Sequence, residues 1–195
     1  MIDRFPRVEV TSRQEWRDWL TEHHADHGTI WLVTYKKHVP DRHLPWSEVV
    51  DEALCFGWID SRPARLDEDR TMVLVSPRKP GSVWSKVNRE KVERLMAEGR
   101  MAPAGMAAVQ RAQADGSWAA LEDVDAMVVP PALESALAAD PVAQGFWNGF
   151  PPGVRRNILQ WIAGAKTEGT RARRIEETVR LATQNIRANH PRPKT

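Results

Sequence analysis

The sequence predicts an α+β protein, a mostly helical single domain with a small antiparallel sheet of about three strands and a C-terminal helical section. Three observations carry the prediction. Apolar residues recur at helical spacing along most of the 195 residues, β-branched and aromatic runs are confined to three short stretches between residues 29 and 76, and the pairs Pro130-Pro131 and Pro151-Pro152 punctuate the last third. With 42% apolar residues and nine tryptophans, a chain of this length fills a core of its own.

Taken in order, Ser12 with Glu15 three residues on is a capping-box pair, and Trp16, Trp19 and Leu20 follow at helical spacing, so a helix is expected from about Arg13 to Ala25. Gly28 stops it. Thr29 to Tyr35 is β-branched and aromatic and reads as a strand. Pro45 and Ser47 open a second helix with Val49, Val50, Ala53, Leu54 and Phe56 on a broad apolar face, and Gly57 is placed to end it in a left-handed conformation. Trp58 to Ser61 and Thr71 to Ser76 read as two strands of a hairpin joined through Asp67 to Arg70.

Ser85 caps the next helix, with Val87, Val92, Leu95 and Met96 on one face and Gly99 at its end. Pro103 starts another, which Gly116 stops. Trp118 to Val129 carries no clear period, and Pro130-Pro131 marks the boundary between a body of residues 1–129 and a helical section of residues 130–190. That section holds helices from Pro131, from Pro141 with Asp140 as cap, and from Pro152 with Val154, Ile158, Trp161 and Ile162 inward. A last helix spans Gly169 to Arg187, with Ile175, Val179, Ala182 and Ile186 on its apolar stripe. Residues 191–195 read as a disordered tail.

The formal net charge is +2, but it is unevenly spread: residues 1–150 hold 18 Lys/Arg against 23 Asp/Glu, and residues 151–195 hold 10 against 3. A single cysteine excludes an intramolecular disulfide and a cysteine-based metal cluster. No apolar run reaches the roughly 18 residues of a membrane span, and no signal peptide is visible, so the expected location is cytoplasmic.

The common catalytic signatures are missing: no phosphate loop, nucleophile elbow, zinc-protease helix or dinucleotide fingerprint occurs. Two of the three clustered histidines, His23 and His27, are spaced for a metal, yet their place at a helix C-terminus reads better as dipole and solvent contacts. No metal and no cofactor are expected. Cys55, between Leu54 and Phe56, reads as a buried structural thiol.

The informative stretch lies between Trp58 and Asn88. Arg78, Lys79, Lys86 and Arg89 gather cations around the N-terminal end of the helix capped by Ser85, an arrangement that an anion would complete. That anion is either a carboxylate or phosphate ligand, or the chain's own Asp60 or its Asp67–Asp69 loop. On a strand, Trp58 and Asp60 share one face, so Asp60 is either a desolvated carboxylate suited to acid or base work or a buried turn-former paired with an arginine. The arginines of the last helix, Arg171, Arg173, Arg174, Arg180 and Arg187, give a weaker nucleic-acid reading beside that of a solvated face.

The runs Trp46 to Ser61, Ser76 to Lys79, Trp84 to Asn88, Gly99 to Met101, Trp161 to Thr167 and Thr170 to Ile175 together resemble the YdeI/OmpD-associated family, also called bacteriocin-protection proteins, over about residues 15–190. The resemblance implies a bacterial stress- or resistance-associated role, with association to an outer-membrane porin and a periplasmic setting in family descriptions. It implies no catalytic residues.

Residues and resemblance together give a binding protein whose partner is a small anionic molecule or an acidic protein surface. The expected site is Lys36, Lys37, Trp58, Asp60, Arg62, Arg78, Lys79, Trp84, Lys86 and Asn88. The alternatives are an enzyme of unclassified type with Asp60 as acid or base and the basic cluster stabilising an anion, and nucleic-acid binding through the last helix.

Overall fold

The computed structural model describes residues 4–189, so the expected disordered tail lies outside the described residues. The chain forms two compact units, one ending at Ala119 and the other starting at Ala120. The first contains β1 (Arg7–Glu9), α1 (Arg13–His23), β2 (Ile30–Tyr35), a 3-10 turn at Pro40–Arg42, α2 (Trp46–Cys55), β3 (Trp58–Arg65), β4 (Arg70–Pro77), α3 (Lys86–Ala97) and α4 (Pro103–Ala114). The second is helical: α5 (Glu122–Asp125), α6 (Pro131–Ala138), α7 (Pro141–Gly149), α8 (Pro152–Ala163) and α9 (Glu168–Ala182).

The sheet has four strands in the order β1-β2-β4-β3 and is mixed, a correction to the three antiparallel strands read from the sequence. The extra strand, β1, is three residues long and runs parallel to β2. Three residues are too few to show a period of two, so only the partner strand reveals it. Within β2 and β4 the pairs Ile30/Val75 and Leu32/Val73 point to one face, and Trp31/Leu74 and Val33/Met72 to the other. The first face joins Trp58, Trp16, Leu20, Val49, Leu54 and Leu95 in the main core, while the second makes a smaller cluster around Trp31. β2 is therefore buried on both faces, which explains its unbroken apolar run.

Local rules place most helix ends. Ser12, Ser85 and Asp140 accept hydrogen bonds from backbone amides inside the helices they cap, as their positions require. Two corrections concern faces. In α3 the buried residues are Arg89, Val92 and Leu95, so Val87 and Met96 flank the stripe and are exposed. The α9 helix stops at Ala182, and Ile186 lies beyond it on the surface, past a left-handed turn at Asn185.

α2 carries two adjacent buried carboxylates among buried apolar residues. Glu52 accepts from Arg13 Nε at 2.6 Å, Arg17 Nη1 at 2.7 Å and Arg100 Nη2 at 2.6 Å. Asp51 accepts from Lys91 Nζ at 2.6 Å and Arg94 Nη2 at 2.5 Å. Burial alone would raise the Asp51 carboxyl, but Lys91 and Arg94 hold it below its ordinary value. The two carboxylates thus tie α2 to α1, to α3 and to the loop entering α4.

The end of α2 is fixed by close backbone approach. Gly57 has φ +73° and turns the chain into β3, while a Cβ built on Gly105 of α4 would sit 2.1 Å from the Cys55 carbonyl oxygen. Gly105→Ala is expected to cost about 2 kcal/mol in chemical denaturation despite alanine's better helix propensity. Gly145→Ala in α7, where nothing lies within 4 Å of the added Cβ, should instead stabilise by up to about 1 kcal/mol. Glu52→Gln is expected to cost about 2–3 kcal/mol by the same measurement. That is less than a fully buried pair would lose, because Arg13, Arg17 and Arg100 are 36%, 32% and 23% exposed and can rehydrate.

Candidate functional site

The site is built where β4 ends and the chain turns toward α3. Arg78 follows the last residue of β4, and its amide donates to the Gly57 carbonyl at 2.9 Å, which fixes the backbone against the α2–β3 turn. Its guanidinium carbon lies over the buried Trp84 ring, 3.7 Å from the centroid, and Nη2 donates to the Val83 carbonyl at 2.8 Å and to the Ser82 carbonyl at 3.4 Å. Arg78 Nε is buried and has no hydrogen-bond partner. No carboxylate of the described residues comes within 4.0 Å of this guanidinium. Burial pushes its pKa down to about 10, with the Asp60 carboxylate acting against that shift.

Asp60 sits on β3 opposite Val75 and on the same face as Trp58. Burial raises its carboxyl above the ordinary value, against a hydrogen bond from its own backbone and the charges of Arg78 and Lys91. Asp60 and Arg78 are therefore electrostatic neighbours without an ion-pair contact.

Beside Arg78 and Trp84 lies a small cleft also lined by Lys79, Pro80, Gly81, Arg111, Asp115 and Ser117. Its free volume of about 10 Å³ is that of a single water. Asp115 is oriented by the amides of Gly81 and Ser117 at 3.1 and 2.9 Å. The lining carries three cations against one carboxylate.

Of the residues expected from the sequence, the structure brings Arg78, Lys79 and Trp84 into this cleft, with Asp60 behind them. The others lie elsewhere. Lys36 donates to the carbonyls of Asp67 and Glu68 at 2.8 and 2.7 Å, holding the β3–β4 turn, and Lys37 is exposed beside it. Because Tyr35 pairs with Arg70 at the start of β4 and Pro77 ends that strand, this turn is roughly 23 Å from Arg78. Arg62 stacks over Trp31 at 5.4 Å, on the opposite face of the sheet, past the irregularity between Asp60 and Pro63. Trp58 is 1% exposed and donates to the His24 carbonyl at 3.3 Å, so it serves the core. Lys86 is exposed, 3.8 Å from Glu90, and the Asn88 amide is taken by the Ser85 cap.

Arg111, Asp115 and Ser117 were not expected at the site. Their only sequence signal is the charged end of α4, which nothing local connects to Arg78. In α9, Arg174 packs over Trp161 and donates to its carbonyl, Arg171 lies 3.9 Å from Glu168, and Arg173 donates to Thr170 Oγ1 at 3.3 Å. Cys55 is fully buried, and no helix among the described residues is long and apolar enough to cross a membrane.

An α+β unit with a desolvated, Trp-stacked arginine and a separate helical unit define a two-part protein without a recognisable catalytic constellation among the described residues. The chain belongs to the family described as Domain of unknown function (DUF8412), whose model matches residues 8–108, and residues 126–185 match the family model described as Bacteriocin-protection, YdeI or OmpD-Associated. Arg78, Lys79 and Trp84 fall in the first match, and the Thr170 to Ile175 run falls in the second. No curated protein and no solved structure matches the chain.

The Cys55 thiol is pushed up to about 11, by burial first and by the Glu52 charge next. The folded state keeps the thiol proton where the unfolded chain loses it, so stability should fall as pH rises from about 9 to about 11. A thiol-reactive dye should label the native protein slowly at neutral pH and the denatured protein at once, and Cys55→Ala should flatten the alkaline part of the stability profile.

Proposed function

We propose that this protein is a stress- or resistance-associated binding protein that takes an oxyanion at the Arg78 cleft. The observation that supports this most is the buried Arg78 Nε, a charged donor without a partner and without a carboxylate in ion-pair range. A desolvated charge of this kind is costly, and an anionic oxygen would complete it. Volume limits what can enter. A cleft the size of one water takes a single oxygen of a carboxylate or phosphate, and the rest of the ligand would lie at the rim against Lys79 and Arg111. The net positive lining favours such a group despite Asp115.

The same chemistry reads a small anionic metabolite and an acidic side chain of a partner surface, and the resistance role suggested by the C-terminal family match fits either. The proposed compartment is the cytoplasm, in keeping with a lone buried thiol. Catalysis by Asp60 is the weaker reading, because Asp60 does not line the cleft.

Thermal-shift measurements with inorganic phosphate, citrate and phosphorylated metabolites test the proposal. A ligand at 100 times its Kd should stabilise by about 2.7 kcal/mol. The shift should be lost in Lys79→Gln/Arg111→Gln, whose exposed side chains leave the fold intact, and in Arg78→Lys. A shift that survives these substitutions would place the anion elsewhere, and no shift with any oxyanion would overturn the small-ligand reading.

A further inference from the structure

We infer that His23, Asp26 and His27 form a binding site for a divalent transition-metal ion. The argument starts from the end of α1. His23 is the last residue of that helix, and one further turn follows, because the His27 amide donates to the His23 carbonyl at 3.1 Å. His23 and His27 therefore stand one above the other, with ring centroids 4.9 Å apart. Asp26 Oδ1 lies 3.0 Å from His27 Nδ1 and 3.9 Å from His23 Nδ1, and the three donor groups all lie within 4.8 Å of one another. Two ligands held about 2.0–2.1 Å from a tetrahedral ion are roughly 3.3 Å apart, so the two measured edges bracket the separation that an ion requires.

The histidines do not serve the helix end. That part is taken by His24, whose Nδ1 lies 2.8 Å from the Leu20 carbonyl and whose ring packs on Phe56. His23 Nδ1, by contrast, is buried and has no hydrogen-bond partner, although it faces the Asp26 carboxylate. A ring nitrogen withdrawn from water and without a hydrogen-bond partner is a group that a metal ion would satisfy.

The rings are also held in place. Trp19 lies between them and the core, 5.2 Å from the His23 ring and 5.3 Å from the His27 ring. Trp19 in turn stacks on Trp16 at 5.4 Å and meets Trp58 edge-on at 5.8 Å. Both rings are thus oriented by packing before any ion arrives, which lowers the ordering cost of binding.

Two imidazoles and a carboxylate, with no thiolate, suit Zn²⁺, Ni²⁺ or Cu²⁺ and not Ca²⁺ or Mg²⁺. Three protein ligands leave a fourth position, and with Asp26 66% exposed it opens to solvent, free for water or a group from a partner.

Isothermal titration of the full chain with ZnCl₂ in chelator-free buffer should show saturable binding of one ion per chain. CuCl₂ should quench part of the tryptophan fluorescence through Trp19 with the same stoichiometry. Asp26→Asn and His27→Ala should each weaken Zn²⁺ binding by about tenfold or more, whereas His38→Ala, at the far end of the sheet, should leave it unchanged. Asp26 is exposed, so its variant keeps the fold and the test does not depend on the His27 variant folding. Absence of saturable Zn²⁺ binding, or affinity that is the same in Asp26→Asn and the parent, would overturn the site.

Discussion

Glu52 is the point on which the first unit depends. A carboxylate that is 1% exposed is costly inside a protein unless its oxygens are paired, and here three arginines pair them from α1 and from the loop entering α4. With Asp51 beside it drawing Lys91 and Arg94 from α3, the helix α2 becomes a hub whose charged side organises the surrounding helices and whose apolar side lies on the sheet. Hydrophobic burial supplies the larger stabilisation, but it is not directional. The paired carboxylates select which helix lies where, because any other arrangement would leave a buried charge uncompensated.

What was legible in the sequence follows from how local each determinant is. Caps at Ser12, Ser85 and Asp140 and left-handed glycines at Gly57, Gly99 and Gly116 act within a few residues, so they mark element ends directly. The hairpin β3–β4 is equally local. β1 is not, since its pairing with β2 depends on residues more than twenty positions away. The same holds for Asp51 and Glu52, which in isolation look like ordinary solvated charges of a helix surface. Only the arrival of Arg13, Arg17, Lys91, Arg94 and Arg100 makes their burial possible.

The candidate site divides in the same way. Arg78, Lys79 and Trp84 are near neighbours in sequence and meet in space, while Lys36, Lys37 and Arg62, expected at the same site, do not join them. The real register sends Lys36 to the turn at the other end of β4 and Arg62 to the other face of the sheet, where it covers Trp31. A one-residue change of register reverses every side chain on a strand, so proximity across a sheet cannot be read from composition. Arg111 and Asp115 enter the cleft from α4 for a reason equally invisible in sequence: Gly105 lets that helix press against the end of α2.

Contrast between the buried charges gives the cleft its meaning. Asp51 and Glu52 accept hydrogen bonds from five cations, so both carboxylates are satisfied within the fold. Arg78 is treated differently: it is desolvated, stacked on Trp84, given only the Ser82 and Val83 backbone carbonyls as partners, and left with an unpaired Nε. Asp60 is close enough to feel that charge but not to bond with it. A fold able to satisfy two carboxylates so completely could have closed a salt bridge here as well. Contact with Trp84 packs one side of the guanidinium and Arg78 lines the cleft, so the planar cation is held where an oxyanion entering the cleft would meet it.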